Sequence, residues 1–242
     1  MNPLDIVFPK SCVICKRKGE YLCGRCHKLF KRELPECYVC RRLSNGYRTH
    51  EECRDRYSMD SVFVAWEYNS LTSDLLKKYK YGYAYDMSEV LCKFFTESIR
   101  SSSYWKMLKD TLVINMPISS SRLKERGFNQ TYDLAKRISI EFNLDFSDSL
   151  VGKSGGSEHQ ALKDKEERRE ISTDSFCIIE DIDISRYESI TIVDDVITTG
   201  STLNAIAKKI RLHYGDSISI NAMCMFRGKP VYYSSDSGVS SC

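Results

Sequence analysis

The spacing of hydrophobic and polar residues predicts strands that alternate with helices over most of the chain. Short, nearly continuous apolar runs are typical of buried strands, and they lie at residues 61–68, 111–117, 189–195 and 217–226. Apolar residues at helical spacing lie between these runs, at residues 71–99 (two stretches around Gly82), 131–142 and 203–210. This alternation predicts an α/β domain built on a parallel sheet.

Three further segments lack this alternation. Residues 1–58 hold a cluster of cysteines and few residues that could build a core. Residues 151–170 are rich in Gly and Ser and then highly charged, which predicts a mobile loop, and residues 230–242 are typical of a disordered tail. We therefore predict a small cysteine-rich domain at 1–58, an α/β domain at 59–229 and a tail at 230–242.

Seven of the eleven cysteines lie in the first 53 residues, with the spacing of metal ligands. Two donors separated by two residues can grip one Zn²⁺, and two such pairs complete a tetrahedral structural site. Four pairs are present, so the sequence predicts two structural zincs held by Cys12, Cys15, Cys23, Cys26, Cys37, Cys40, His50 and Cys53. Sequential pairing of the four is the simplest arrangement, and a cross-braced pairing stays open.

Composition changes this picture little. Hydrophobic residues make up 42% and charged residues 29%, which is ordinary for a soluble globular protein, and no apolar run is long enough to span a membrane. The first twelve residues lack the basic start of a signal peptide, so we expect a cytoplasmic protein without membrane insertion, whose thiols stay reduced. The cysteines outside the cluster are expected to be core or tail thiols. His27 is expected to be a surface residue rather than a fifth ligand.

Charge is unevenly distributed along the chain. Residues 1–58 contain 13 Lys and Arg against 7 Asp and Glu, whereas the remainder contains 23 against 26. A basic surface can follow the phosphate backbone of a nucleic acid, which makes single-stranded DNA a candidate partner. A solvated face, which a small zinc module needs in any case, explains the same excess equally well.

Residues 189–202 combine a buried strand, two carboxylates and a run of small hydroxylated residues. Ligands of open α/β sheets bind outside the carboxyl ends of the strands, and this strand is predicted to end where Asp194 and Asp195 begin. Adjacent carboxylates can accept hydrogen bonds from the vicinal hydroxyls of a sugar. A helix is predicted to open at Leu203, and a phosphate can bind the amides and hydroxyls before it, which belong to Thr198, Thr199, Gly200, Ser201 and Thr202. The pattern predicts a site for a ribose 5-phosphate.

This stretch closely resembles the phosphoribosyl-pyrophosphate (PRPP) signature of type I phosphoribosyltransferases, in which apolar residues and two acidic residues precede a Thr-Thr-Gly-x-Thr loop. The resemblance implies that fold, and PRPP bound with Mg²⁺ held mainly by the oxygens of the substrate. It also implies that Asp194 and Asp195 are catalytic, beside the charge that develops on the ribose as pyrophosphate leaves. Pyrophosphate would then lie in the loop after residues 111–117, at Ser119, Arg122 and Arg126.

A second resemblance is carried by RLKERGFNQTYDLAKRI at 122–138, by the Lys80–Tyr81 segment, by FPKSC at 8–12 and by HQALKDKEERRE at 159–170. These features are similar to the ComF family, in which a double zinc ribbon precedes a phosphoribosyltransferase domain. His50 stands where many relatives carry Cys, and zinc accepts either donor. The resemblance implies a role in DNA uptake during natural competence, with single-stranded DNA and other competence proteins as partners.

Two functional hypotheses follow. The chain is either a DNA-handling factor that uses the transferase fold to bind PRPP, or an active transferase that moves phosphoribose to a base, an amine or a polymer-borne group. A salvage or glutamine-dependent purine enzyme is disfavoured, because the sequence shows no glutaminase domain and the zinc ligands would be unexplained. Phe226 is a candidate for stacking on a base, and a core position explains it equally well.

Overall fold

The structure is a computed structural model, and it describes residues 10–81, 84–154 and 175–228. Its strands are β1 (Ser61–Glu67), β2 (Thr111–Asn115), β3 (Asp145–Ser147), β4 (Val151–Lys153), β5 (Phe176–Ile178), β6 (Ser189–Ile197) and β7 (Ser219–Arg227). Its α-helices are α1 (Gly24–His27), α2 (Ser70–Tyr81), α3 (Ala84–Arg100), α4 (Ser120–Arg126), α5 (Gln130–Phe142) and α6 (Ser201–Tyr214). The strands and helices predicted from hydrophobic spacing are confirmed.

Five strands form one parallel sheet in the order β1-β7-β6-β2-β3. Strands β1, β2, β6 and β7 are buried over most of their length, as expected of parallel strands covered on both faces. The predicted parallel α/β sheet is confirmed. The edge strand β3 was not predicted, because its three residues are partly or fully exposed and contain no apolar run.

The chain changes its direction of winding between β2 and β6, near the middle of the sheet. From β2 it passes to β3 on one side, and from β6 it passes to β7 on the other. The loops that leave β2 and β6 therefore diverge and leave a crevice at the carboxyl edge, which is the usual ligand site of such sheets. Asn115 lies beside Val193, and the N–H of Met116 donates to the Val193 carbonyl at 3.0 Å. The residues that follow on each strand lie at the crevice.

Two apolar clusters cover the two faces of the sheet. One includes Phe95 and Leu134, from α3 and α5, packed against Val193 of β6. The other includes Ile206 of α6 packed against Ile192 of β6, together with buried residues of β4 and β5. Strand β6 is therefore held rigidly between two cores, which fixes the position of the aspartates that it carries.

The start of the predicted mobile loop is a strand, so that part of the prediction is wrong. Strand β4 pairs antiparallel with β5, because Val151 and Phe176 are buried in the core beside α6. Gly152 permits this packing, since a Cβ at that position would lie 2.0 Å from the side chain of Ile179. Glycine at this position provides close packing rather than mobility.

The cysteine-rich domain packs directly on the sheet. Cys26 and Phe30 lie in the same apolar cluster as Trp66. His27, predicted to be a surface residue, stacks on Phe94 with ring centroids 3.8 Å apart and lies edge-on to Trp66 at 5.3 Å. That prediction is wrong because α1 presses its last residue against the core. Burial lowers the pKa of His27 to about 4, so its ring packs as a neutral group.

Several predictions lie at or beyond the limits of the described residues. The boundary between the cysteine-rich and α/β domains stays a prediction. Most of the predicted loop (155–170) and the predicted tail (230–242) fall outside the described residues.

Cys92 and Cys224 are buried, as predicted for core thiols, whereas Cys177 is half-buried. Within the part of the chain that the structure describes, no helix combines the length and the apolar character of a membrane span.

Candidate functional site

The cysteine-rich domain gathers its eight predicted ligands into two groups. Within each group, the Sγ or imidazole nitrogen atoms all lie within 4.8 Å of one another. The grouping is sequential and not cross-braced: the first group is Cys12, Cys15, Cys23 and Cys26, and the second is Cys37, Cys40, His50 and Cys53. Four converging sulfur and nitrogen donors fit a closed, tetrahedral zinc site.

Both groups begin with the same backbone turn. In each, the N–H of the first cysteine donates to the carbonyl five residues later, at 2.8 and 2.9 Å (Cys12 to Arg17, Cys37 to Arg42). The residue after the second cysteine has a positive φ in both turns, 62° and 65°, which residues other than glycine adopt rarely; these residues are Lys16 and Arg41. The backbone itself therefore points the two sulfurs of each turn toward a common centre.

Hydrogen bonds from neighbouring groups orient the donors of the second group. His50 Nε2 lies 3.1 Å from the Leu43 carbonyl, and Nδ1 lies 3.3 Å from Cys40 Sγ. Nε2–H donates to the carbonyl, which leaves the Nδ1 lone pair facing the cysteines. Arg42 pairs with Glu52 and donates to Cys40 Sγ at 3.4 Å, and this lowers the pKa of Cys40 to about 6.

Crowding of the thiols adds an electrostatic argument for a cation. Burial and the neighbouring cysteines raise the pKa of Cys26 to about 12 and that of Cys53 to about 11. Thiols this close cannot all ionise unless a positive charge is present, and Zn²⁺ supplies that charge when bound. Both donor sets could therefore hold a structural zinc.

Strand β6 continues past the aspartates to Ile197, so the predicted strand end is wrong. The strand is also irregular there. Ile192 and Ile197 lie in one apolar cluster, and Val193 and Val196 lie in the other, although residues an odd number of positions apart face opposite ways in a regular strand. The reversal falls at the two aspartates, where the pairing with β7 passes from Asp194 directly to Val196.

The two carboxylates have different partners. Lys80 Nζ lies 2.7 Å from Asp195 Oδ2, and the two side chains are 21% and 13% exposed. Asp194 Oδ1 accepts from the backbone N–H of Asp195 at 2.8 Å. Burial and the charge of Asp195 nevertheless raise the pKa of Asp194 to about 8. At neutral pH Asp194 therefore retains a proton and can both donate and accept, whereas Asp195 is ion-paired with Lys80.

The residues after β6 present hydrogen-bond donors at the start of α6. Gly200 has a φ of 83° and caps this helix, which begins at Ser201, two residues earlier than predicted. Thr198, Thr199 and Ser201 are exposed, Thr202 is half-buried, and the Thr199 hydroxyl donates to Ser201 Oγ at 3.2 Å. The first amides of a helix lack intrahelical acceptors. Because they lie at the same sheet edge as the aspartates, an anion can bind there.

The segment after β2 is the short helix α4 rather than the predicted loop. Ser119 caps it, with Oγ accepting from the N–H of Arg122 at 3.4 Å, and this cap starts a helix that the serine run conceals. The Arg122 side chain is exposed and can meet an anion. Arg126 is instead engaged: it donates to Gln130 Oε1 at 3.1 Å, and its guanidinium lies 5.5 Å from the ring centroid of Tyr81.

The Arg-Gly-Phe-Asn-Gln motif fastens the elements around the crevice. Asn129 Nδ2 and the Thr131 hydroxyl both donate to the Met116 carbonyl, at 3.1 and 2.8 Å, which ties α5 to the end of β2. The Tyr79 hydroxyl donates to the Gln130 carbonyl at 3.0 Å, which ties α2 to the same place. This tie places the next residue of α2, the lysine that pairs with Asp195.

Two residues beside this site were not predicted from the sequence. Lys80 was noted only within the ComF-like segment, since no local pattern links it to a carboxylate 115 positions away. Tyr38, between two predicted zinc ligands, packs against Gly200. Phe226 is completely buried in the core, so it is not available to stack on a base.

Three curated proteins are similar to the chain over most of its length. It is 26% identical over 193 residues to competence protein F of Haemophilus influenzae, a match that covers 78% of this chain and 84% of that protein. It is 27% identical over 221 residues to competence protein ComFC of Bacillus subtilis, covering 90% and 84%. The resemblance to the ComF family is confirmed. No family model matches this ComF-like chain.

Solved phosphoribosyltransferases are also similar to this ComF-like chain. Xanthine-guanine-hypoxanthine phosphoribosyltransferase of Helicobacter pylori matches with a TM-score of 0.38 and 16% identity, over 64% of this chain and 81% of that one. Orotate phosphoribosyltransferase of Aeropyrum pernix matches with a TM-score of 0.34 and 13% identity, over 65% and 66%. The fold class itself is defined by the parallel sheet, the helices on both of its faces and the two ligand groups that precede it.

Proposed function

We propose that the chain binds PRPP, or a related ribose 5-phosphate, with Mg²⁺ in the crevice between β2 and β6, and that it acts in DNA uptake and handling during natural competence. One observation carries the proposal. The carboxyl end of β6 brings together the carboxyl groups of Asp194 and Asp195, the side chain of Lys80 and the start of α6. The competence role is supported by the relatives, which are competence proteins.

Each part of a ribose 5-phosphate has a complementary group at this edge. The 5-phosphate accepts hydrogen bonds from the amides and hydroxyls of residues 198–202. The ribose hydroxyls lie against Asp194 and Asp195. Lys80 holds Asp195 in place and prevents two bare carboxylates from repelling each other. Proton retention by Asp194 adds a donor that a second ionised carboxylate would lack.

The pyrophosphate end belongs beside α4. Arg122 is exposed there, and burial together with the charge of Arg122 lowers the pKa of Lys153 on β4. Two cations close enough to repel each other are stabilised by an anion between them. Mg²⁺, when bound, offsets the remaining charge of the diphosphate.

Calorimetric titration of PRPP with Mg²⁺ into the zinc-loaded chain tests the binding site. We expect binding by the wild type, loss of binding in Asp194→Asn/Asp195→Asn, and unchanged binding in Asp181→Asn/Asp183→Asn, which removes two exposed carboxylates elsewhere. No heat of binding in the wild type would refute the proposal. Equal losses in the two double variants would show that the effect is general electrostatics rather than a site.

DNA binding is assigned to the exposed basic face of the cysteine-rich domain. Arg42 is a poor probe of this role, because it holds a predicted zinc ligand, whereas Arg17 and Lys18 are exposed. Anisotropy of labelled single-stranded DNA should show an affinity that falls linearly with salt on logarithmic axes. Arg17→Glu/Lys18→Glu should weaken binding and reduce that slope, and Lys106→Glu/Lys109→Glu, an equal charge change on the α/β domain, should not. Salt-independent binding, or equal effects of both pairs, would contradict the assignment.

A genuine transferase is the second candidate, and the pKa of Asp194 favours it. A group that titrates at about pH 8 can exchange protons with an acceptor near neutrality. The bond from ribose C1 to pyrophosphate would break, the bond from C1 to the acceptor would form, and the acceptor proton would pass to water or to the fraction of Asp194 that is ionised. Pyrophosphate release should then appear with one member of a panel of bases, amines and single-stranded DNA. Release should disappear in Asp194→Asn/Asp195→Asn, and no release across the panel would contradict this candidate.

A further inference from the structure

Tyr38 joins the second zinc-ligand group to the phosphate-binding loop. It lies between Cys37 and Cys40 and is 2% exposed. Its ring contacts Gly200 so closely that a Cβ at Gly200 would lie 2.7 Å from Tyr38 Cε2. The Tyr38 ring therefore packs against the backbone of the loop that precedes α6.

The Tyr38 hydroxyl extends this contact into α6. It donates to Asn204 Oδ1 at 2.8 Å and accepts from the Met59 N–H at 3.3 Å. The N–H of Asn204 in turn donates to the Gly200 carbonyl at 2.9 Å, which closes the first turn of the helix. Tyr38 thus contacts both Gly200 and Asn204, the two ends of the first turn of α6. The amides of this turn are the ones proposed to bind a phosphate.

A second contact ties the other end of α6 to the same domain. Arg211 is 7% exposed and donates to the carbonyls of Arg56 and Ser58 at 3.0 and 2.6 Å. It also pairs with Asp60 at 2.7 Å. Helix α6 is therefore fixed at both ends by the segment that contains, or directly follows, the second ligand group.

The first ligand group packs on the other face of the sheet. Its buried ligands Cys12 and Cys26 pack in the cluster on the opposite face of the sheet, with Trp66 and Phe94. Tyr38 lies in the cluster of α6. The two groups share a backbone turn but contact different parts of the α/β domain, so the first serves as an internal control for the second.

We propose that Tyr38 is a positioning residue that couples the second zinc site to the phosphate-binding loop, so that metal at that site and ribose 5-phosphate in the crevice stabilise each other. The coupling to ligand rests on the proposed function. Because linkage is reciprocal, bound metal that raises the affinity for the ligand by a given factor requires that bound ligand raise the affinity for the metal by the same factor. The first site takes no part in this exchange.

Three variants of the full, zinc-loaded chain test the coupling by calorimetry with PRPP and Mg²⁺. Tyr38→Ala removes the ring and the hydroxyl, and we expect its affinity to fall by about 10-fold or more, within the ~5–150-fold range usual for coupled sites. Tyr38→Phe keeps the ring against Gly200 and should retain affinity within about threefold, as loss of one neutral hydrogen bond implies. Val39→Ala alters an exposed neighbour in the same turn and should bind like the wild type.

Metal retention provides a readout that simple destabilisation would not produce. Thiol alkylation followed by mass spectrometry reports both ligand groups in one sample. PRPP should slow alkylation of Cys40 and Cys53 in the wild type and leave Cys15 and Cys23 unchanged. In Tyr38→Ala this protection should disappear at the second group. Equal protection of both groups, or protection that persists in Tyr38→Ala, would overturn the proposal.

Amide hydrogen exchange of residues 198–204 without ligand separates this inference from the proposed function. Exchange should be faster in Tyr38→Ala than in the wild type, Tyr38→Phe or Val39→Ala. If the wild type fails to bind PRPP but this difference is seen, the proposed function fails and the structural coupling stands. If PRPP binds equally to all four proteins and exchange is unchanged, the coupling fails and the proposed function stands.

Discussion

Asp194 and Asp195 are adjacent in sequence but differ in electrostatic environment. Asp195 is ion-paired with Lys80, whereas desolvation and the charge of Asp195 raise the pKa of the half-buried Asp194 to about 8. A pair of neighbouring sugar hydroxyls suits these two side chains, because one hydroxyl can accept from Asp194 and the other can donate to Asp195. The raised pKa of Asp194 and the ion pair of Asp195 each lead to a prediction about the stability of the ligand-free protein.

Asp194→Asn should stabilise the ligand-free protein at neutral and alkaline pH. The Asp194 carboxyl takes up a proton at about pH 8 when folded and at about pH 4 when unfolded, so the folded state binds more protons between these values. Its contribution to stability is therefore greatest below about pH 4 and is lost as pH rises toward 8. Thermal unfolding at pH 8 should show a midpoint raised by about 2–4 °C or more in Asp194→Asn. The difference should shrink toward pH 4, and a lower midpoint at pH 8 would contradict the assignment.

Lys80→Gln should destabilise the protein by more than its neighbour Lys77→Gln. Lys80 is the partner of a carboxylate that is only 13% exposed, whereas Lys77 pairs with Asp74 and both of those side chains are more than 70% exposed. Loss of the partly buried partner should lower the free energy of unfolding by roughly 1–3 kcal/mol. The exposed pair should change it by about 0.5 kcal/mol or less. Urea unfolding measures both, and equal effects would contradict the role of Lys80.

At the scale of elements, the start of α6 depends on a glycine that satisfies two constraints. Gly200 needs a positive φ of 83° and also contacts the ring of Tyr38. Gly127, at the end of α4, has a similar φ of 76°, but among the described residues, its chain neighbours aside, no atom lies within 4 Å of the point that a Cβ would occupy there. The two positions separate backbone strain from steric clash.

Gly127→Ala should cost about 1 kcal/mol of unfolding free energy, the usual penalty for a left-handed non-glycine residue. Gly200→Ala should cost about 1–3 kcal/mol more, because the new methyl group overlaps a buried ring. Chemical denaturation compares the two directly. Equal costs would mean that Tyr38 moves aside freely and does not hold the loop.

Hydrophobic spacing predicted these elements well where burial was continuous and poorly where it was not. Strands β1, β2, β6 and β7 are apolar enough to be recognised individually. The exposed strand β3 and the glycine-containing strand β4 carry no such signal. Helix α4 was not predicted, because a run of serines marks its start and the first of them, Ser119, is its cap. The ligand spacing of the cysteine-rich domain was equally local and therefore predictable.

The candidate site shows the same limit. Its loop and aspartates follow one another in the chain, so sequence alone could identify them. Lys80 and Tyr38 contact Asp195 and Gly200, respectively, although both are more than 100 positions away in the sequence. The aspartates also lie where residues of β6 change from one apolar cluster to the other. Such features depend on tertiary contacts, which no local pattern encodes.

At the scale of the whole molecule, the cysteine-rich domain and the sheet share apolar clusters on both faces. Metal removal should therefore destabilise the α/β domain as well as the ligand turns. Calorimetry should show one transition whose midpoint falls by about 10 °C or more with chelator, since each ~1 kcal/mol shifts a domain of this size by about 2–4 °C. Zinc should restore it and magnesium should not. An α/β transition that is unaffected by the chelator would show that the two domains are energetically independent.

If the ends of β2 and β6 hold one ligand between them, amide hydrogen exchange with and without PRPP and Mg²⁺ must reveal both ends at once. We expect protection of residues 194–204 and of residues 116–126 in the same titration, with half-saturation at the same PRPP concentration. Residues 181–188, at the opposite edge of the sheet, should not change. Protection confined to one of the two loops, or found only away from both, would mean that the crevice is not a single binding site.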